Sequence, residues 1–242
     1  MTETHWPIVE LRQYMLRPGR RDRLIDLFDR ELVETQEAAG MRIVGQFRDE
    51  DDPDRFVWVR AFQDMTARRA ALTAFYYEGE TWRTYAPAAR ETMVDTTNAL
   101  LLQPVWSIGD LGAQFVRPGR CAVDLPDSRV LVTIHYPAVT MAEFTEFFAI
   151  RMCPVISDTG AEVLACYETD PSHNDFPALP LRRERVFVWF SRFDTTEDLD
   201  DHLAAMSRCP TWTEHVEPAL SKRLAVPSER LRLAPTARSL LH

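Results

Sequence analysis

Residues 56–62 read FVWVRAF and residues 187–193 read FVWFSRF. Both begin Phe-Val-Trp, both close on Phe, and both lead into an acid, a threonine and a helical stretch. A short strand written twice within 242 residues points to internal duplication, because each copy of a repeated unit keeps the pattern of the surfaces it must bury.

The flanking segments follow the same order in both halves. Period-two runs IVELRQYM (8–15) and VLVTIHYP (130–137) predict strands, aligned so that Tyr14 meets Tyr136 and Gln13 meets His135. Helices follow, with Leu24, Leu27, Phe28 and Leu32 at helical spacing in one and Phe144, Phe147, Phe148 and Met152 in the other. Thr140 with Glu143 marks a helix start, and Gly40 and Gly160 mark helix ends. A second strand, a loop, the Phe-Val-Trp strand, a helix with a Thr-Trp pair (Thr81-Trp82, Thr211-Trp212) and a closing strand complete each half. The second loop, TDPSHNDFPALPLRRE, carries three prolines and is expected to be irregular and exposed.

This is the split βαβ plan written twice, an α+β fold of two ferredoxin-like βαββαβ repeats. The expected organisation is a first repeat over 1–104, a linker over 105–128 and a second repeat with a C-terminal tail over 129–242. In FVWVRAF, Phe56, Trp58, Arg60 and Phe62 share one face, while Val57, Val59 and Ala61 share the other. Helices cover only one face of such a sheet, so the other apolar face needs a partner. The other repeat is the obvious one, which predicts an α+β barrel closed within one chain and leaves any homodimer to other surfaces.

The segments AFYYEGETWRTYAPAARETMVDTTNALLLQP (74–104) and IVELRQYMLRPG (8–19) resemble the NIPSNAP family, within the dimeric α+β barrel superfamily. The resemblance covers residues 8–104 well and 129–234 more weakly. It implies the fold rather than a reaction, since the superfamily spans cofactor-independent oxygenases, haem-binding and haem-degrading proteins and muconolactone-isomerase-like enzymes.

A formal charge of −9 with dispersed arginines argues against nucleic-acid and membrane-surface partners. No apolar run reaches the roughly 18–20 residues of a spanning helix, and the polar first residues do not read as a secretion signal, so a cytoplasmic location is expected. Zinc-type cysteine spacing, Walker loops, dinucleotide fingerprints and nucleophile elbows are missing, and the expectation is a site working without metal, nucleotide or other cofactor.

The histidines of the second half carry the candidate chemistry. Aligning the Thr-Trp pairs sets Tyr85 opposite His215, a place where the family resemblance implies a histidine. His215 and His135 are the candidate acid-base residues, and Tyr136, Tyr14, Tyr85, Trp82, Trp212 and Arg60 the candidate ligand contacts. For each histidine the plainer reading is a side chain bonded to backbone or water. Glu10 with Arg12 or Arg60 reads as a structural ion pair, with recognition of a ligand carboxylate as the alternative. Cys153 and Cys209 each precede proline, a pattern that keeps haem binding open, against the simpler reading that the prolines shape helix starts. The function expected is a pocket for a small hydrophobic or aromatic molecule, with oxygenase- or isomerase-like proton chemistry. The alternative is a scaffold that presents loops to another protein.

Overall fold

The computed structural model describes residues 5–106 and 111–242. The first repeat runs β1 (Ile8–Leu16), α1 (Arg21–Leu27), α2 (Val33–Ala38), β2 (Arg42–Asp49), β3 (Arg55–Phe62), α3 (Met65–Thr73), α4 (Glu80–Thr92), the short β4 (Met93–Asp95) and β5 (Ala99–Pro104). The second runs β6 (Arg129–Pro137), α5 (Met141–Phe147), α6 (Cys153–Asp158), β7 (Val163–Thr169), β8 (Phe187–Phe193), α7 (Thr196–Arg208), α8 (Glu217–Ser221) and β9 (Leu224–Pro235). Each helix pair is joined through a π-helical turn, at Phe28–Leu32, Ala74–Glu78, Phe148–Met152 and Thr211–Val216.

Helix starts are set by side chains that accept orphan backbone N–H groups: Asp64 from Ala67, Thr140 from Glu143, and Thr195 with Asp198 in a reciprocal box. Gly40 (φ 100°) and Gly160 (φ 97°) end α2 and α6 in the left-handed region, where any Cβ would be strained.

The strand order is β5-β1-β3-β2 in the first repeat and β9-β6-β8-β7 in the second, all antiparallel. Two seams join them. Asp49 of β2 lies opposite Leu233 of β9, and Leu102 of β5 lies opposite Thr169 of β7, which closes an eight-stranded barrel within one chain. Val9, Leu11, Val57, Val59, Val132, Val188, Phe190 and Leu233 fill its interior, while the opposite strand faces pack under helices. No described helix is long and apolar enough to cross a membrane.

The connecting segments pack against this frame. Leu111 and Leu241 enter the barrel core, and the tail is held by Thr236 N–H to Gln46 O (2.9 Å) and Leu241 N–H to Val44 O (2.8 Å). The proline-rich loop between β7 and β8 is irregular, as expected, but it is not simply exposed. It follows β5 through Asp170 N–H to Leu101 O (2.9 Å) and Arg182 N–H to Ala99 O (2.8 Å), and buries Phe176 among the helices of the first repeat. These bonds occupy backbone groups of β5 outside its ladder to β7, where a bare edge would be left.

One alignment is corrected. Ile8 pairs with Phe62 as Arg129 pairs with Phe193, so Tyr14 corresponds to His135 and Gln13 to Ile134. Matching the two tyrosines shifted the second strand by one residue, which turns every side chain to the wrong face. His135 therefore faces the helices, whereas Tyr136 packs at the end of the barrel interior.

Hydrogen bonds at two seams and a continuous core hold the halves together, so cleaving the exposed segment near Gly119 is expected to leave both fragments in one species by size-exclusion chromatography. Separate folded monomers would contradict the closure described here.

Candidate functional site

The two repeats treat the space between sheet and helices in opposite ways. In the first, Glu10 on β1 lies at the centre of three guanidinium groups: Arg12 (2.9 Å), Arg60 (2.7 Å) and Arg68 (2.7 Å), all fully buried. Burial alone would raise the Glu10 carboxyl, but Arg60, Arg12 and Arg68 together hold it well below the usual carboxylate range. Tyr76 accepts from Arg60 (3.3 Å), Tyr14 accepts from Arg12 (3.3 Å), and Arg60 lies 4.9 Å from the Trp58 ring. Asp175 of the strapping loop pairs with Arg68 (2.6 Å), and Phe176 stacks on Tyr77 at 5.0 Å. The group is buried, and the strapping loop lies over it.

By the strand registers, Leu131, Thr133 and Ser191 of the second repeat stand where Glu10, Arg12 and Arg60 stand in the first, and Leu199 stands for Arg68. Long charged side chains have become short neutral ones. What remains is a cavity of about 580 Å³ between β6, β9 and the helices α7 and α8, walled by Leu131, Met152, Trp189, Leu203, Met206 and Trp212. A pocket of this size holds a small organic molecule. Its mouth lies beside Leu224–Ser228 of β9. The β2–β3 loop, counterpart of the strap, is too short to cover it: Glu50 already turns back to pair with Arg129 (2.6 Å) and Arg232 (3.8 Å).

Two histidines face this cavity. His135 is bonded on both ring nitrogens: Trp189 Nε1–H donates to Nε2 (3.1 Å), which places the proton on Nδ1, shared with Ser228 Oγ (2.6 Å). Burial and the nearby Arg230 push its pKa down to about 3, so the ring is neutral. His202 on α7, 1% exposed, differs. Its Nδ1 meets the Thr159 carbonyl at 3.1 Å, and its Nε2 has no hydrogen-bond partner among the described residues. Burial, partly offset by that carbonyl, and then Arg230 lower its pKa as well. Thr133 Oγ1 is a second buried atom in the lining without a partner.

Of the residues singled out from sequence, the cavity brings together His135 and Trp212. His215 is exposed on the π-helical turn and lies outside the lining, because the turn directs Trp212 and Val216 inward instead. Tyr14, Arg60, Trp82 and Tyr85 belong to the filled side of the first repeat. Tyr136 donates to Glu229 (3.1 Å) and accepts from Arg182 (3.0 Å) on the barrel side of its strand. Cys153 and Cys209 do not line the cavity, and burial pushes the Cys153 thiol up to about 11. His202 and Arg230 were not among the chosen site residues. The signal for His202 was its place with Leu199 and Met206 on one face of an amphipathic helix, a spacing equally typical of a core position.

Residues 9–107 match the NIPSNAP family model, which spans the first repeat. The whole chain is similar in fold to an anthrone oxidase-like protein (TM-score 0.60, 10% identity, 97% of this chain and 92% of that one). It is also similar to a candidate monooxygenase from Fusobacterium nucleatum (0.58, 10%, 97% and 94%) and another from Lactobacillus acidophilus (0.55, 11%, 96% and 94%). No curated protein shows significant similarity to the chain.

Glu10 is the carboxylate at the centre of the three buried arginines, so Glu10→Gln is expected to destabilise the fold by about 3–5 kcal/mol, measured by denaturant unfolding. His135 predicts a pH dependence. Its folded pKa lies below the unfolded value, so the unfolded chain binds the extra proton and stability falls as pH drops from the unfolded pKa near 6.5 towards 3. Between pH 7 and pH 5 the wild type is expected to lose about 2 kcal/mol more than His135→Gln, by the same measurement.

Proposed function

We propose that this protein, whose first repeat matches the NIPSNAP family, binds one small, largely aromatic molecule in the cavity under the helices of its second repeat. The observation that carries this reading is the exchange of the buried Glu10 and Arg12 for Leu131 and Thr133, which line the cavity. The same frame is packed solid on one side and hollow on the other, with a wall of apolar side chains and a few converging polar groups. That division is the usual make-up of a ligand pocket rather than of a scaffold interior.

Proton transfer is the chemistry this site supports. His135 is engaged at both nitrogens and orients Trp189, so the role of acceptor falls to His202 Nε2. A neutral imidazole in a largely apolar pocket can take a proton from a bound molecule, the opening step of isomerisation and of cofactor-free oxygenation by dioxygen alike. The descriptions of the similar folds as candidate monooxygenases and an anthrone oxidase-like protein accord with that class at the level of fold.

The test is a fluorescence titration with the uncharged probe N-phenyl-1-naphthylamine. One molecule per chain is expected to bind, and Ser207→Trp or Leu203→Trp, which fill the mouth and the wall, should weaken binding at least about tenfold. Binding unaffected by both substitutions in folded protein would place the ligand elsewhere.

A further inference from the structure

The polar groups of the cavity specify more than a hydrophobic guest. His202 Nε2 and Thr133 Oγ1 are each buried and unpartnered on residues 1% and 4% exposed. Leaving such an atom unbonded costs stability, and a cavity wall is where a ligand can complete it. Only an N–H can meet the Thr159 carbonyl, so Nδ1 carries the His202 proton and Nε2 is a bare acceptor. The ligand atom that reaches it must therefore be a donor.

The opposite requirement holds at the rim. Arg230 on β9 lines the cavity, and no acid lies within ion-pairing distance of it among the described residues. Its neighbours on the strand are satisfied: Arg232 pairs with Asp200 (2.7 Å), and Glu229 takes Tyr136 (3.1 Å). Glu217, the one acid in the lining, stays beyond pairing distance. In a chain with 37 acidic residues against 28 basic ones, a cation left unpaired at a pocket mouth is positioned for an anion from outside the chain.

We propose that the ligand is a hydroxyl-bearing aromatic carboxylate, its hydroxyl donating to His202 Nε2 beside Thr133, its ring held between the side chains of Trp189, Trp212 and Met206, and its carboxylate on Arg230. This rests on the cavity reading above and adds the two ends of the molecule. Arg230 supplies a planar fork that matches a carboxylate, and the His202–Thr133 pair supplies an acceptor with an adjustable hydroxyl.

The test compares 6-hydroxy-2-naphthoate, 2-naphthoate, 2-naphthol and naphthalene by calorimetry on the full chain. The hydroxynaphthoate is expected to bind at least about tenfold more tightly than either singly substituted compound, because each end adds a hydrogen bond and the one to Arg230 is charge-assisted. Arg230→Gln, at an exposed position that keeps the fold, should bring the hydroxynaphthoate down to the level of 2-naphthol and leave 2-naphthol unchanged. His202→Phe should remove the advantage of the hydroxyl and spare that of the carboxylate. Equal affinity of wild type for the hydroxynaphthoate and 2-naphthol, or an equal loss of both in Arg230→Gln, would overturn the assignment while leaving the cavity reading intact. Failure of all four compounds to bind would sink both.

Discussion

Everything in this molecule depends on the hydrogen-bonded seams between β2 and β9 and between β5 and β7. Each four-stranded sheet has one face under its own helices and a second face of valines, leucines and phenylalanine that a lone repeat would leave in water. Pairing the four edge strands at two seams removes four exposed backbone edges and brings the apolar faces together around one interior. The accessory segments follow from the same closure: the C-terminal tail and the stretch from Leu111 pack at the barrel, and the long β7–β8 loop runs along β5.

With the barrel interior filled, any space for a guest must lie outside it, between sheet and helices. The repeats divide that role by charge. Three buried arginines around one glutamate are tolerable in the first because Glu10, Asp175 and the Tyr14 and Tyr76 hydroxyls satisfy the guanidinium groups. A network of that kind is costly to leave half made, so it fills its volume firmly. The second repeat has lost all four charged members at once, and its helices remain propped by Phe144, Phe148 and Trp189 over an open space. The strap that seals the first side has no long counterpart at the second. Burying Phe176 on one face and leaving a mouth on the other thus come from the unequal lengths of two loops.

The duplication, the order of elements and the helix ends at Gly40 and Gly160 were legible in the residues as alternation, helical spacing and glycine where φ turns positive, and the intramolecular closure followed from the apolar faces left uncovered. The Glu10–Arg60 pairing was legible too, since two charges on inward faces of neighbouring strands must meet. The second repeat's first strand was harder. Tyr14 and Tyr136 look like equivalents, yet the ladder sets Tyr14 against Phe56 and His135 against Phe187. A single residue of slip is invisible in a run of alternating apolar side chains, and it decides which residues see the helices.

The sequence by itself determined a twice-written ferredoxin-like unit whose apolar faces and edge strands needed a partner, which the second copy in the same chain supplies. Only the tertiary structure decided where the hollow lies and which groups face it. That choice depends on how Leu131 and Thr133 leave open what Glu10 and Arg12 fill in the first repeat, and on which nitrogen of each histidine finds a partner. Volume and hydrogen-bond satisfaction are sums over neighbours far apart in the chain, which is why His215, prominent beside its tryptophan, lies at the surface, while His202, unremarkable on its helix, faces the cavity with a free nitrogen.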